Sequence, residues 1–440
     1  MAQSNDDAKM GLWMTSALVV GSMIGSGIYL LPASLAPLGR NAVVGWAVSL
    51  LGALTIAFAL ASLSRIGEGG IRSYIERAFG PTIAFLVTWA LWWSNIGAQA
   101  ALAIATASAA SRLLPAFGGT AGIVTVGVGS VVVLTTVNLR GVRTSGGLSL
   151  ITVAIKLLPL VAVVAVLAMR KTSGVPFEAF SASPVTLPNI ATATALTLFA
   201  LTGFENAVAP VDKVRNPART IPVAILGGAV FVGLIYLASS SAVMLLLPPD
   251  RIAASPAPYA DALVLRWGEQ AALLAALGIA ISAFGSLNSL IFGTGELAYA
   301  MGLRGDLPTA IARTGRDNIP YVAHLIGGGM TIFLILANST KATASLFAFV
   351  LLLSTAAVLV VYLLGALAAW KENHSPASRA VYAIALLFIT FAFYGAGVEA
   401  DLWCLVLLAI GVCVRVLMRA FNSRAGSILA VEPLPAVPLE

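Results

Sequence analysis

The chain has 440 residues, of which 59% are hydrophobic and only 10% charged, with a mean hydropathy of +0.96 and a net charge of +7. That excludes an ordinary soluble globule, in which about a quarter of residues are charged. The positive charge is spread over loops rather than gathered in a patch, which excludes a nucleic-acid partner and leaves an all-α polytopic membrane protein.

Taken in chain order, the apolar runs predict twelve transmembrane helices, at 12–36, 42–64, 82–113, 121–139, 147–169, 190–211, 221–247, 271–300, 321–338, 345–369, 380–396 and 402–419. A single lysine, Lys9, precedes the first apolar run and many spans follow it, so it reads as a span and not as a cleaved leader. An even number of spans puts both termini on one side. Most of the 25 lysines and arginines fall in loops on that side, which makes it the cytoplasm of an inner (cell) membrane. Glu68-Gly69-Gly70-Ile71-Arg72-Ser73-Tyr74 and Ala78-Phe79-Gly80-Pro81 bracket a short surface helix between spans 2 and 3. Asn216-Pro217-Ala218-Arg219 leads into span 7 with a proline suited to a helix start. Pro248 to Glu269 forms a longer outside segment, with a short helix over the mouth. Residues 1–425 read as one transmembrane domain, with repeat one at 12–169, repeat two at 190–369 and extra helices at 380–419. The proline-bearing tail 426–440 is expected to be disordered.

Two spans are interrupted by glycine. The first break is Gly21-Ser22-Met23-Ile24-Gly25-Ser26-Gly27, and the second is Thr202-Gly203-Phe204-Glu205-Asn206. Backbone groups without partners in a bilayer cost several kcal/mol each. Breaks in the first and sixth spans are the pattern of two inverted repeats building one central site. Free N–H groups around Gly25, Ser26 and Gly27, at the start of a half-helix, suit a substrate carboxylate. Carbonyls near Met23, and near Phe199, Ala200 and Thr202, suit an ammonium. Close helix packing is the competing role for the glycines.

Ionisable residues deep in a membrane are functional hypotheses. Glu205 lies in the second break, where a desolvated carboxyl is suited to exchanging a proton near neutral pH or to capping the second half-helix. Lys156 lies about 13 Å into span 5. Either it snorkels to the interface or its ammonium bonds carbonyls freed by the first break. Asn95 and Gln99 share a face of span 3 at i, i+4, and with Ser94 they could line a side-chain pocket. Asn288 and Ser289 on span 8 are further polar candidates, and interhelical hydrogen bonding explains each of these equally well. Trp89, Trp92 and Trp93 read as packing residues. Cys404 and Cys413 read as packing in lipid, and His324 and His374 give a metal site no support, so no cofactor is expected.

The motifs Gly25-Ser26-Gly27-Ile28-Tyr29-Leu30-Leu31-Pro32, Gly69-Gly70 with Tyr74, Phe79-Gly80-Pro81, Phe199 to Glu205, Asn216-Pro217-Ala218-Arg219 and Gly285-Ser286-Leu287-Asn288 occur in one order. In this the chain resembles the amino acid–polyamine–organocation superfamily, and in particular its basic amino-acid/polyamine antiporters of the arginine/agmatine type. The resemblance covers spans 1 to 10. It implies a leucine-transporter-like fold of five plus five inverted spans. It further implies a carboxylate site at Ser26 and Gly27 with Ser22 nearby, and amine-binding carbonyls at Met23, Phe199 and Thr202. Ser94, Asn95 and Gln99 would then lie around the far end of the side chain, with Glu205 as the gating acid. Phe199 and Leu290 stand where arginine/agmatine exchangers carry tryptophan. Lys156 matches other amino-acid permeases of the superfamily.

The expected function is therefore a secondary amino-acid transporter, an amino-acid antiporter of the arginine/agmatine type, working by alternating access in the lipid bilayer on a small-molecule substrate (an amino acid or derived amine), with proton coupling and a homodimer as open additions. A proton-coupled symporter or exporter of neutral amino acids is the alternative. A membrane enzyme would need a cluster of reactive side chains and a channel a charged ring or selectivity loop, and neither pattern is visible in the sequence.

Overall fold

In lipid a backbone must satisfy its own hydrogen bonds, so apolar runs of this length become helices. The computed structural model describes residues 11–25, 27–63, 70–140, 148–174, 176–204, 214–315 and 319–429, and no β-strand occurs among them. The helices are α1 (Leu12–Met23), α2 (Gly27–Leu35), α3 (Arg40–Leu63), α4 (Gly70–Phe79), α5 (Pro81–Leu113), α6 (Gly119–Leu139), α7 (Leu148–Thr172) and α8 (Leu187–Leu201). They continue with α9 (Pro217–Leu246), α10 (Pro249–Ala254), α11 (Pro258–Leu303), α12 (Tyr321–Ala337), α13 (Thr343–Glu372), α14 (Pro376–Ala396) and α15 (Val398–Leu429).

Eight of these, α3, α6, α7, α9, α11, α13, α14 and α15, are long and apolar enough to cross a membrane. The pair α1 and α2, bent by 45° at the first break, makes a ninth. The remaining expected spans fall on α5, α8 and α12. The first carries Ser94, Asn95 and Gln99 in its middle, and the other two are apolar but shorter. The chain is thus a multi-pass helical membrane protein. The short surface helix between spans 2 and 3 is α4. The segment expected on the outside, 248–269, holds α10 and the start of α11, which kinks at Gly268. The last helix runs on to Leu429, past the boundary expected at 426. The rest of that tail, like the stretch after the second break, lies outside the described residues.

The packing repeats itself when spans are exchanged five for five. The first half of span 1, α1, packs on span 7 (α9), and span 6 (α8) packs on span 2 (α3). Span 3 (α5) packs on span 10 (α13), and span 8 (α11) on span 5 (α7). The neighbours α5 with α6 and α11 with α12 correspond in the same way, as do α1 with α7 and α8 with α13. With the five spans per repeat that the sequence predicts, the second repeat would lie upside down relative to the first and the exchange axis in the membrane plane.

Small residues let the crossing backbones approach. On the α3–α8 seam a Cβ on Gly45 would sit 2.5 Å from the Ala193 Cβ. Beside it the Ser49 hydroxyl donates to the Thr194 carbonyl at 2.8 Å and lies 2.6 Å from the Thr197 hydroxyl. Lipid tails are as apolar as leucine, so it is this close packing and these interhelical bonds that hold helix to helix.

Candidate functional site

The two breaks meet. The first half-helix ends at Met23, Ile24 takes ψ 81°, and the Gly25 N–H turns back to the Met23 carbonyl at 2.8 Å. α8 ends at Leu201, where the Thr202 N–H and hydroxyl both reach the Phe199 carbonyl, at 3.1 and 2.7 Å. Gly203 follows at φ 110°, a conformation that side chains rarely adopt, and a Cβ there would lie 2.7 Å from the Ser22 carbonyl. The Ser22 hydroxyl closes the contact, 2.9 Å from both the Gly203 and Val19 carbonyls. Unwound backbone of each repeat thus lies against the other.

A ring of polar donors braces this junction. The Lys156 ammonium donates to the Gly21 carbonyl at 3.1 Å, with the residue only 8% exposed. The lysine is thus turned inward to the first break and bonded there, not extended to the interface. The Tyr236 hydroxyl of α9 donates to the Met23 carbonyl at 3.1 Å. The Tyr29 hydroxyl donates to the Lys156 carbonyl. Tyr259 pairs with Ser239 at 3.0 Å, its ring edge-on to that of Tyr29.

The expected site residues divide. Ser22, Met23, Gly25, Gly27, Phe199, Ala200 and Thr202 come together at the junction. The Phe199 ring lies over Gly27, where a Cβ would come within 2.8 Å of its edge, and Gly25 faces Leu102 at 3.7 Å. The carbonyls of Met23 and Phe199 each accept two bonds from the protein in this conformation. Ser26 and Glu205 lie outside the described residues.

The polar residues on α5 and α11 go elsewhere, apart from one. Ser94 bonds the Ser354 carbonyl on α13 at 2.9 Å. Gln99 is fully buried, donates to Thr294 at 2.6 Å and accepts from Thr331 at 3.0 Å. Asn288 accepts from Asn138 of α6 at 2.8 Å. In this conformation all three stitch helices together, the reading the sequence left equally open. Asn95 is half-buried and makes no hydrogen bond among the described residues, which leaves its amide for a ligand.

The sequence reading missed the three tyrosines and a buried ion network at the membrane edge. Asp306, 2% exposed, receives Arg415 of α15 on one oxygen and Arg72 of α4 on the other, the latter at 2.7 Å. A tyrosine inside an apolar run is itself a signal, because its buried hydroxyl needs a partner. Arg304-Gly305-Asp306 offers no such signal and reads as an ordinary loop.

An interrupted first span whose break meets the unwound end of α8, braced by a buried lysine in a multi-pass helical protein, is an arrangement that suits a membrane carrier with a central site. The amino acid permease family model matches residues 10–415, and the chain belongs to that family, within the amino acid–polyamine–organocation superfamily. It is similar to the putrescine transporter PotE of Escherichia coli strain K12, 28% identical over 93% of this chain and 96% of that protein. The putrescine transporter PotE of Haemophilus influenzae is 26% identical over the same shares. The cadaverine/lysine antiporter of E. coli strain K12 is 30% identical over 77% of each chain.

Proposed function

We propose that this protein is a secondary carrier of the inner membrane, with both termini in the cytoplasm, that exchanges an amino acid for an amino acid or derived amine by alternating access. The observation that carries the reading is the Ser22–Gly203 junction, where the unwound end of α8 meets the first break and non-helical backbone stands ready for the two charged ends of an α-amino acid. In this scheme Ser26 and Gly27 receive the carboxylate. The carbonyls of Met23, Phe199 and Thr202 receive the ammonium, once the Phe199 ring lifts from Gly27 and the internal bonds to those carbonyls yield. The relatives transport putrescine or exchange cadaverine and lysine by name, which supports exchange of cationic amino acids and amines, arginine/agmatine among them. Phe199 can stack on a guanidinium.

A neutral amino acid is the second reading. It is favoured by Lys156, which already places one positive charge beside the junction. Glu205 is assigned the proton-responsive role in either case. Reconstitution in proteoliposomes tests the scheme with labelled arginine, lysine, agmatine, putrescine, cadaverine and a neutral set, with and without internal substrate and a pH gradient. Uptake accelerated by internal arginine, lysine or their amines supports the cationic exchanger. Acceleration only by neutral amino acids, or by the pH gradient alone, selects the second reading. No uptake of any of them removes both.

A further inference from the structure

Lys156 touches both halves of the broken first span, with two different parts of itself. Its ammonium donates to the Gly21 carbonyl of α1, and its own carbonyl accepts from the Tyr29 hydroxyl of α2. A carbonyl oxygen has two lone pairs, so it can serve its helix and a second donor together. The helix is loosened at this point, because Pro159 has no N–H to offer the Ile155 carbonyl. Tyr29 is 3% exposed, and its hydroxyl also lies beside the buried Ser282 hydroxyl of α11. Its ring meets Tyr259 edge-on, with centroids 5.5 Å apart. Tyr259 belongs to the outside stretch of α11 before the Gly268 kink, and its hydroxyl ties that stretch to Ser239 of α9. A continuous chain of contacts therefore runs from the outside segment through Tyr259 and Tyr29 to Lys156, and on to α1.

We propose that Tyr29 is a positioning residue of the transport cycle: its hydroxyl sets the angle between the halves of the first span by tying the outer half to the Lys156 turn, and its ring conveys that angle to the outside segment. The proposal rests on the carrier reading. A change in the hinge angle moves α2 past α7, so this bond must break or carry the Lys156 turn with it. The bond thus belongs to one face of the cycle and governs turnover without touching substrate.

Tyr29→Phe removes one oxygen and keeps the ring. In proteoliposomes its maximal exchange rate is expected to change by about two- to tenfold, the scale of one net hydrogen bond, with KM little altered. A raised KM at an unchanged maximal rate would make Tyr29 a substrate contact and overturn the positioning role. Hydrogen exchange of the full chain in lipid nanodiscs needs no knowledge of the substrate, and so separates failure here from failure of the carrier reading. Peptides covering 27–35 are expected to exchange faster in Tyr29→Phe. They should not do so in Tyr382→Phe, which deletes a hydroxyl bonded to Ser62 at 2.9 Å on α14. If Tyr29→Phe is not recovered folded, Tyr259→Leu carries the test, because losing the ring contact should loosen the same peptides. Unchanged exchange over 27–35 in the folded variant overturns the proposal.

Discussion

Gly203 shows how little latitude the junction allows. A methyl there would meet the Ser22 carbonyl at 2.7 Å, and the backbone would have to hold φ 110° against it. Gly203→Ala is expected to lower exchange below about a tenth of wild type, a strain of about 1–3 kcal/mol falling on the site itself. Uptake per inserted molecule is the measure, and near-normal uptake would detach Gly203 from the site. Gly27→Leu should abolish substrate binding by isothermal titration, because the side chain would occupy the place of the Phe199 ring and the approach to the half-helix start. Wild-type affinity in that variant would remove the carboxylate site. Asn95 and Gln99 make a sharper pair, one helical turn apart on α5. Gln99→Leu removes two interhelical bonds and leaves the hydroxyls of Thr294 and Thr331 bonded only within their own helices, and should cost about 1–3 kcal/mol of stability, seen as a lower melting temperature with KM unmoved. Asn95→Leu should shift substrate preference and leave melting alone. The reverse outcome would return Gln99 to the pocket. At this scale the sequence located the first break and the end of α8, because glycine inside an apolar span is conspicuous. It could not separate Asn95 from Gln99, because i, i+4 spacing fixes a shared face but not which neighbour each amide finds.

At the level of helices, α7 supports the broken span and α15 braces the edge that carries Asp306. Lys156→Ala removes the only ammonium bonded to the first break among the described residues. Transport should be lost while the protein still reaches the membrane, and normal uptake would reduce Lys156 to a packing residue. Asp306→Ala leaves the guanidinium groups of Arg72 and Arg415 facing each other without their carboxylate. Breaking a buried ion pair from one side costs about 3–5 kcal/mol. The expected result is a lower melting temperature, with faster hydrogen exchange in 398–421 and in α4. Equal exchange in both would make the network incidental. Lys156 was legible in the sequence because a lysine deep in an apolar run demands a partner. The brace at Asp306 was not, because its three members lie far apart in the chain and each looks like a loop or interface charge alone.

For the molecule as a whole, the five-for-five correspondence in packing was foreshadowed only by hydropathy, because the two halves share no visible sequence identity. Broken spans one and six were enough to suggest it; the reciprocal contacts of α1 with α9 and α8 with α3 give it physical form. On the proposed carrier reading, the repeats trade conformations about the junction so that it faces either side in turn. If protonation of Glu205 sets that trade, Glu205→Gln should flatten transport between about pH 5 and 8, with substrate affinity changed less. A pH profile like that of wild type would leave Glu205 as a helix cap.

The aromatic cluster beneath α15 has an optical consequence. Trp89, Trp92 and Trp93 hold their ring centroids 5.4 to 6.0 Å apart, and the Trp89 indole N–H donates to the Leu407 carbonyl at 2.7 Å. Three of the eight tryptophans in the chain therefore absorb as a coupled group at the seat of one peripheral helix. Near-ultraviolet circular dichroism and the colour of tryptophan emission should report whether α15 is docked, with no label attached.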